Sequence, residues 1–211
     1  MINLVNWETA HLCGTAFADQ HRLRYRLFIE RQHYDVPSYS GMEYDQFDTP
    51  AATYLVSPDP NGSGEARGIA RLIPTSRPYM IKELWPELVE GEPLPCSDVV
   101  YEASRFGIDD RLPVAARERV SAEIVIGCQE FALLNGISHF LVVMPPLIIR
   151  RAIGGLGCEY RLLGSAHQLG RHAVAAASVS VSWHSLTEAR QRSGILQSIL
   201  TLPTLVQTQA A

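Results

Sequence analysis

Residues 99–144, VVYEASRFGIDDRLPVAARERVSAEIVIGCQEFALLNGISHFLVVM, decide the architecture. Val99 to Phe106 is rich in β-branched and aromatic residues and alternates. That period puts Val100, Glu102 and Ser104 on one face and Val99, Tyr101, Ala103 and Arg105 on the other. From Val114 to Leu134 the period changes to that of a helix, with Val120, Ile124, Cys128 and Phe131 or Ala132 on one side and Asn135-Gly136 as a stop. His139 to Met144 is again an apolar strand, and Pro145 opens a short helix that ends at Gly154, Gly155 and Gly157.

Upstream, Leu23, Leu27 and Phe28 make the apolar stripe of a helix over Ala16 to Arg31. Thr53 to Ser57 and Gly68 to Ile73 read as antiparallel strands joined around Asn61-Gly62. Downstream, Cys158 to Leu163 and Ala173 to Trp183 are strands. Ser185-Leu-Thr-Glu188 reads as a capping box opening a last helix through Leu200, with a loose tail after Thr201. No repeat or linker divides the chain, so residues 1–211 form one α/β domain. The element order predicts a three-layer α/β/α sandwich around a mixed central sheet. Three consecutive strands after the first helix exclude a plain doubly wound nucleotide fold, and the glycines at 154, 155 and 157 lack the pyrophosphate-cradling spacing.

Of 211 residues, 46% are hydrophobic and 19% charged, which describes a globular chain. The longest apolar stretch, Phe140 to Ile149, is broken by Pro145 and Pro146 and stopped by Arg150 and Arg151, short of a membrane span. Met1 to Gln20 has no basic start and carries Glu8, His11 and Asp19, so a cytoplasmic location is expected. A net charge of −4 argues against nucleic acid as a partner. The charge is uneven: 17 acids against 9 basic residues up to position 110, and 5 against 9 after it. Cys13, Cys96, Cys128 and Cys158 show no metal or disulfide spacing and read as buried or half-buried thiols.

Several polar residues stand where the pattern expects core. Arg24 lies beside the helix stripe, Arg71 interrupts a strand, and Glu102 and Arg105 occupy another. The loop Tyr34 to Pro50 carries Asp35, Glu43, Asp45 and Asp48 without a basic residue. These are either surface ion pairs or the parts of one site, and a loop of that length is commonly functional.

Arg24, Phe28, Glu43-x-Asp45-x-Phe47-Asp48, Tyr54-Leu55, Arg71-Leu-x-Pro-Thr, Arg77-Pro-x-Met80, Trp85-Pro86 and Glu102-x-Ser104-Arg105-Phe106 together resemble the acyl-homoserine-lactone synthases, the LuxI-type autoinducer synthases of bacteria. The match runs in order through about residues 20 to 110. It implies a fold like the GNAT N-acetyltransferases. The implied reaction acylates the amine of S-adenosylmethionine from an acyl thioester, carried by acyl carrier protein or CoA, then closes the lactone and releases methylthioadenosine for quorum sensing. S-adenosylmethionine and the thioester are substrates, and neither metal nor further cofactor is implied. On this resemblance residues 1–110 form the S-adenosylmethionine and catalytic half and 111–211 the acyl-donor half.

The resemblance gives Glu102, Arg71 and Arg105 catalytic roles, with Glu102 as the base. Arg24, Phe28, Tyr34, Asp45, Asp48 and Ser104 would bind, Ser104 toward the pantetheine arm. Arg24 and Arg71 either touch substrate or neutralise Asp45 and Asp48 to order the loop. Tyr34 stands where the family usually has Trp, and Trp85 reads as ordinary core. The acyl chain would lie among the Val99 strand, the helix around Ile124 to Phe131 and the strand Leu141 to Met144. Val142 or Val143 in place of the Thr of synthases that prefer a 3-oxo chain implies an unsubstituted or differently substituted chain. Arg150 and Arg151 either receive an acidic carrier protein or are a solvated helix end. A GNAT-type acyltransferase using acyl-CoA on another amine and a non-catalytic small-molecule binder are the rival functions.

Overall fold

A computed structural model describes residues 1–62 and 64–201; the tail expected after Thr201 lies outside them. The chain forms β1 (Ile2–Val5), α1 (Ala16–Arg24, continued by a wider π turn over Tyr25–Arg31), β2 (Ser38–Tyr39), β3 (Met42–Glu43), β4 (Thr53–Pro58), β5 (Ala66–Pro74), α2 (Met80–Leu84), β6 (Val100–Ile108) and α3 (Val114–Leu134). It continues through β7 (His139–Met144), α4 (Pro146–Ile148, running into irregular helical turns to Leu156), β8 (Tyr160–Leu162), β9 (His167–Leu169), β10 (His172–Ser180), α5 (Trp183–Ser193) and β11 (Leu200–Thr201). The main sheet has the order β11-β1-β4-β5-β6-β7-β10-β8, with β9 paired to β10. β6–β7 and β1–β11 are parallel and the other pairs antiparallel, so the sheet is mixed.

Two cores flank the sheet and make the three layers. Leu23 and Leu27 of α1 pack with Tyr54, Val56, Ile69 and Ile73 on one face. Ile124, Cys128 and Ala132 of α3 pack with Leu55, Ala70 and Leu72 on the other, with Leu186 and Ala189 of α5 behind. These are the residues that period 3.6 and period 2 place inward. Among the described residues, no helix is long and apolar enough to cross a membrane.

Several elements differ from the sequence expectation. The last helix begins at Trp183, because Ser182 in extended geometry accepts the amide of Ser185 and so caps it. It ends at Ser193, where Gly194 adopts a φ of 70°, and Glu188 pairs with Arg192 instead of closing a capping box. The preceding strands are shorter, Tyr160–Leu162 and His172–Ser180. β1, β9 and β11 have two to four residues each, too few to show a period. The acidic loop holds the β2–β3 hairpin, whose Ser40-Gly41 turn has φ of 50° and 71°, the mirror-image turn that suits strand twist. Of the cysteines Cys128 and Cys158 are buried and Cys13 half-buried, but Cys96 is exposed.

Two details of the sheet create the site. β6 pairs with β7 only from Val100 to Glu102, opposite His139 to Leu141, after which the parallel strands part. On its other side β6 carries one extra residue between Ser104, opposite Arg71, and Gly107, opposite Ile69. That bulge contains Arg105 at a φ of 52°, strained for a side chain of that size. Strict alternation sends Arg105 away from Glu102; the bulge returns it to the Glu102 face, where it pairs with Glu43 and Asp45.

α3 lies close on β5 because Gly68 leaves room: a Cβ there would sit 2.5 Å from Cγ1 of Val120. Val has little χ1 freedom in a helix. Gly68→Ala is expected to destabilise the fold by about 1–3 kcal/mol through overpacking. At roughly 2–4 °C per kcal/mol for a chain of this size, thermal unfolding reads that as a clear fall in Tm. An unchanged Tm would contradict the close approach.

Candidate functional site

Beneath the cleft, three arginines meet three carboxylates. Arg24, on the last turn of α1, is fully buried; its Nε donates to Glu43, and its two Nη groups grip Asp48 at 2.7 and 2.8 Å. Arg71, fully buried on β5, reaches Asp45 at 2.5 Å and Asp48 at 2.9 Å and donates through Nε to Ser104 at 3.2 Å. Arg105 reaches Glu43 at 2.9 Å and Asp45 at 2.7 Å. The formal charges cancel.

Backbone geometry completes the cluster. Asp48 accepts the amide of Asp45 and the Tyr54 hydroxyl, and Asp45 accepts the amide of Phe47. The imidazole of His21 donates through Nδ1 to the carbonyl of Glu43, and burial together with Arg24 lowers its pKa. Burial alone would raise the Asp48 carboxyl, but hydrogen bonds from Arg24 and the charges of Arg24 and Arg71 hold it well below the usual carboxylate range.

Above the cluster, between the parted β6 and β7, opens a cleft of about 910 Å³, within the range of small-molecule sites. Asp45, Glu102, Ser104 and Arg105 line its inner wall, and Phe28 and Tyr34 stand at its side with parallel rings 6.1 Å apart. The Arg105 guanidinium lies 5.4 Å over the Phe28 ring. Glu102 is 1% exposed, and its oxygens accept the backbone amides of Ile81 at 2.8 Å and Met80 at 3.1 Å, at the start of α2. Burial nevertheless pushes its pKa up, against those two donors and Arg71. A carboxylate oxygen has capacity beyond one hydrogen bond, so Glu102 holds its helix and still faces the cleft as an acceptor.

The expected site residues therefore divide. Phe28, Tyr34, Asp45, Glu102, Ser104 and Arg105 line the cleft, whereas Arg24, Arg71 and Asp48 lie under it and bind one another. Trp85, read as ordinary core, lines the cleft and is half-buried. Gln32 and His172, not among the expected site residues, also line the cleft and bond to each other at 2.8 Å. Nothing in the sequence pairs two residues so far apart. On the opposite side of the parted strands is a narrower apolar cavity of about 40 Å³, lined by Ala103, Phe106, Val125, Cys128, Val142 and Met144 among others. Ala103, Phe106 and Met144 line both spaces. Val142 faces the cavity and Val143 the cleft. Arg150 and Arg151 are exposed.

A pocket with an anionic wall, a cation stacked on an aromatic ring, a buried carboxylate of raised pKa and an apolar cavity behind a split in the sheet suits a polar cation meeting an apolar chain. The family model described as autoinducer synthase matches residues 9–203. The acyl-homoserine-lactone synthase of Acinetobacter nosocomialis is 30% identical over 164 residues, 75% of this chain and 88% of that protein. Among solved structures, that of a CoA-dependent acyl-homoserine lactone synthase, BjaI, with SAM and isopentyl-CoA superposes with a TM-score of 0.84 at 26% identity, covering 95% of this chain and 92% of that one. A protein from Lactobacillus plantarum assigned as an N-acetyltransferase shares the fold alone, at a TM-score of 0.53 and 16% identity over 86% of this chain and 99% of that one.

The buried cluster has a direct consequence for stability. Asp48→Asn keeps the shape but leaves the arginines with one surplus positive charge, and is expected to cost about 3–5 kcal/mol. Because folding lowers the pKa of Asp48, its contribution is present above the unfolded value near 4 and is lost as pH falls toward the folded value. Urea unfolding at a series of acid pH values should show a steeper loss of stability below pH ~4 in the wild type than in Asp48→Asn. Equal slopes would contradict this role for Asp48.

Proposed function

The chain belongs to the autoinducer synthase family, and from that premise we propose how its cleft makes an acyl-homoserine lactone. It is an acyltransferase acting on S-adenosylmethionine, with an acyl thioester as donor. The amine nitrogen attacks the thioester carbonyl, the C–S bond of the thioester breaks, and the thiol leaves with a proton. The carboxylate oxygen of the methionine moiety then displaces the sulfonium at the γ-carbon. One C–O bond forms, one C–S bond breaks, and methylthioadenosine departs neutral.

The observation that supports the assignment of roles best is the placement of Glu102 on the cleft wall, buried and with a raised pKa. An α-amine has a pKa of about 8, so the nucleophile must lose a proton at neutral pH. Glu102 takes it, directly or through a water, and the strand edge left unpaired beyond Glu102 offers backbone donors to the carbonyl oxygen as charge develops there. Asp45 lines the cleft and, paired with Arg105 at 2.7 Å, brings negative charge to the wall that meets the positive substrate. Phe28 and Tyr34 give the adenine a flat aromatic wall, and Arg105 meets the substrate carboxylate. Arg24, Arg71 and Asp48 are positioning residues that act by holding Asp45, Ser104 and Arg105.

S-adenosylmethionine is held by residues 1–110, and residues 111–211 contribute most to the acyl donor's side. The thioester enters between β6 and β7 and its chain passes Ala103 and Met144 into the apolar cavity. Acyl-CoA is the donor to try first, because a CoA-dependent synthase superposes over nearly the whole chain; an acyl-acyl carrier protein is the second. Both donors are substrates, and the reading requires no resident cofactor. We place the enzyme in the cytoplasm, where free thiols such as Cys96 persist.

Purified protein given S-adenosylmethionine and an acyl-CoA panel is expected to yield acyl-homoserine lactone and methylthioadenosine in equal amounts by mass spectrometry. Glu102→Gln should lower kcat by about 10²- to 10⁴-fold. Its thermal melt shows separately whether α2 has loosened. Wild-type turnover by a folded Glu102→Gln protein would remove Glu102 from the role of base, and a different amine as acceptor would favour a general N-acyltransferase.

A further inference from the structure

The apolar cavity behind the split sheet contains one polar side chain besides the Cys128 thiol. Gln129, on α3, is 1% exposed and lines that cavity. Its Nε2 donates to the carbonyl oxygen of Ser180 at 3.1 Å, while its Oε1 is buried and has no hydrogen-bond partner. The bond to Ser180 fixes which way the amide points: reversing it would set two acceptors against each other. An unpartnered amide oxygen in an apolar cavity is destabilising unless something donates to it. Among the described residues nothing else donates to it.

Its place along the cavity is also defined. Ala103, Phe106 and Met144 line both the cleft and the cavity, so the two spaces adjoin there, and on the proposed function the acyl chain passes from one to the other at this point. Ser180 pairs with His139, at the other end of β7 from Met144. Phe140 and Met144 are four residues apart, about 13 Å along a strand, so Gln129 sits toward the far end of the chain's path. A 3-substituent would remain near the junction and out of its reach.

We propose that Gln129 selects an acyl chain carrying a hydrogen-bond donor, a hydroxyl, at the end remote from the thioester. This rests on the synthase reading above. A site that offers a hydrogen bond rejects an analogue that cannot make it far more strongly than an apolar wall rejects an added methylene.

The test uses the full chain, S-adenosylmethionine and three acyl-CoA donors of matched length: unsubstituted, 3-hydroxy and end-hydroxylated. The end-hydroxylated donor is expected to show a kcat/KM about 10- to 100-fold above the other two. In Gln129→Met, of similar size but without the amide, the ratio should fall to about one. A wild-type ratio of one or less overturns the inference, and that comparison needs no variant. So does a ratio unchanged in Gln129→Met. Failure of all three acyl groups, offered first on CoA and then on acyl carrier protein, to give any lactone or methylthioadenosine would overturn the synthase reading on which the inference stands, whereas turnover without preference overturns only the inference.

Discussion

Two fully buried arginines set the terms for this structure. Moving a guanidinium out of water costs several kcal/mol even after relaxation, and a hydrophobic core cannot repay that. Arg24 and Arg71 are tolerable only because Glu43, Asp45 and Asp48 come to meet them, which forces the loop between α1 and β4 to fold back under the cleft. With two cations against three anions a negative charge would remain. Arg105 supplies the balance, and the bulge in β6 at a φ of 52° delivers it. The strain at Arg105 and the order of the acidic loop are thus two results of one electrostatic requirement.

The same requirement shapes the chemistry. The neutral cluster leaves Asp45 and Arg105 at its upper edge, lining the cleft with opposite charges, which the proposed function assigns to a zwitterionic amino acid carrying a sulfonium. Glu102 is held separately, by two backbone amides of α2, so its orientation does not depend on the arginines. The parting of β6 and β7 just after Glu102 opens the sheet between the cleft and the apolar cavity. In the proposed function this is where a polar substrate from one face meets an apolar chain from the other.

Much of this was legible in sequence where periods are long. α3 and β7 have the expected limits because twenty-one and six residues repeat clear patterns closed by Asn135-Gly136 and Pro145. The polar intruders Arg24, Arg71 and Glu102 marked the site because charges in apolar patterns need partners. What was hidden is non-local. Alternation misplaced Arg105, since a bulge is set by pairing with β5. β1 and β11 pair with each other and are too short to show a pattern. Ser182 took the cap from Ser185 because only the extended backbone at Ser182 aims its hydroxyl at the helix. The division of the site residues into a cleft wall and a layer beneath it follows from depth, which a linear motif does not record.

As the floor of the site rather than its contact surface, the arginine–carboxylate cluster should stay closed when substrate binds. A crystal structure of the protein with S-adenosylmethionine bound reads this out. The ligand is expected in the cleft between β6 and β7, its adenine against Phe28 and Tyr34 and its amino acid end between Asp45, Arg105 and Glu102. The pairs Arg24–Glu43, Arg24–Asp48 and Arg71–Asp48 should remain closed beneath it. A ligand that opened those pairs to bond Arg24 or Asp48 directly, or one seated away from Glu102, would contradict it.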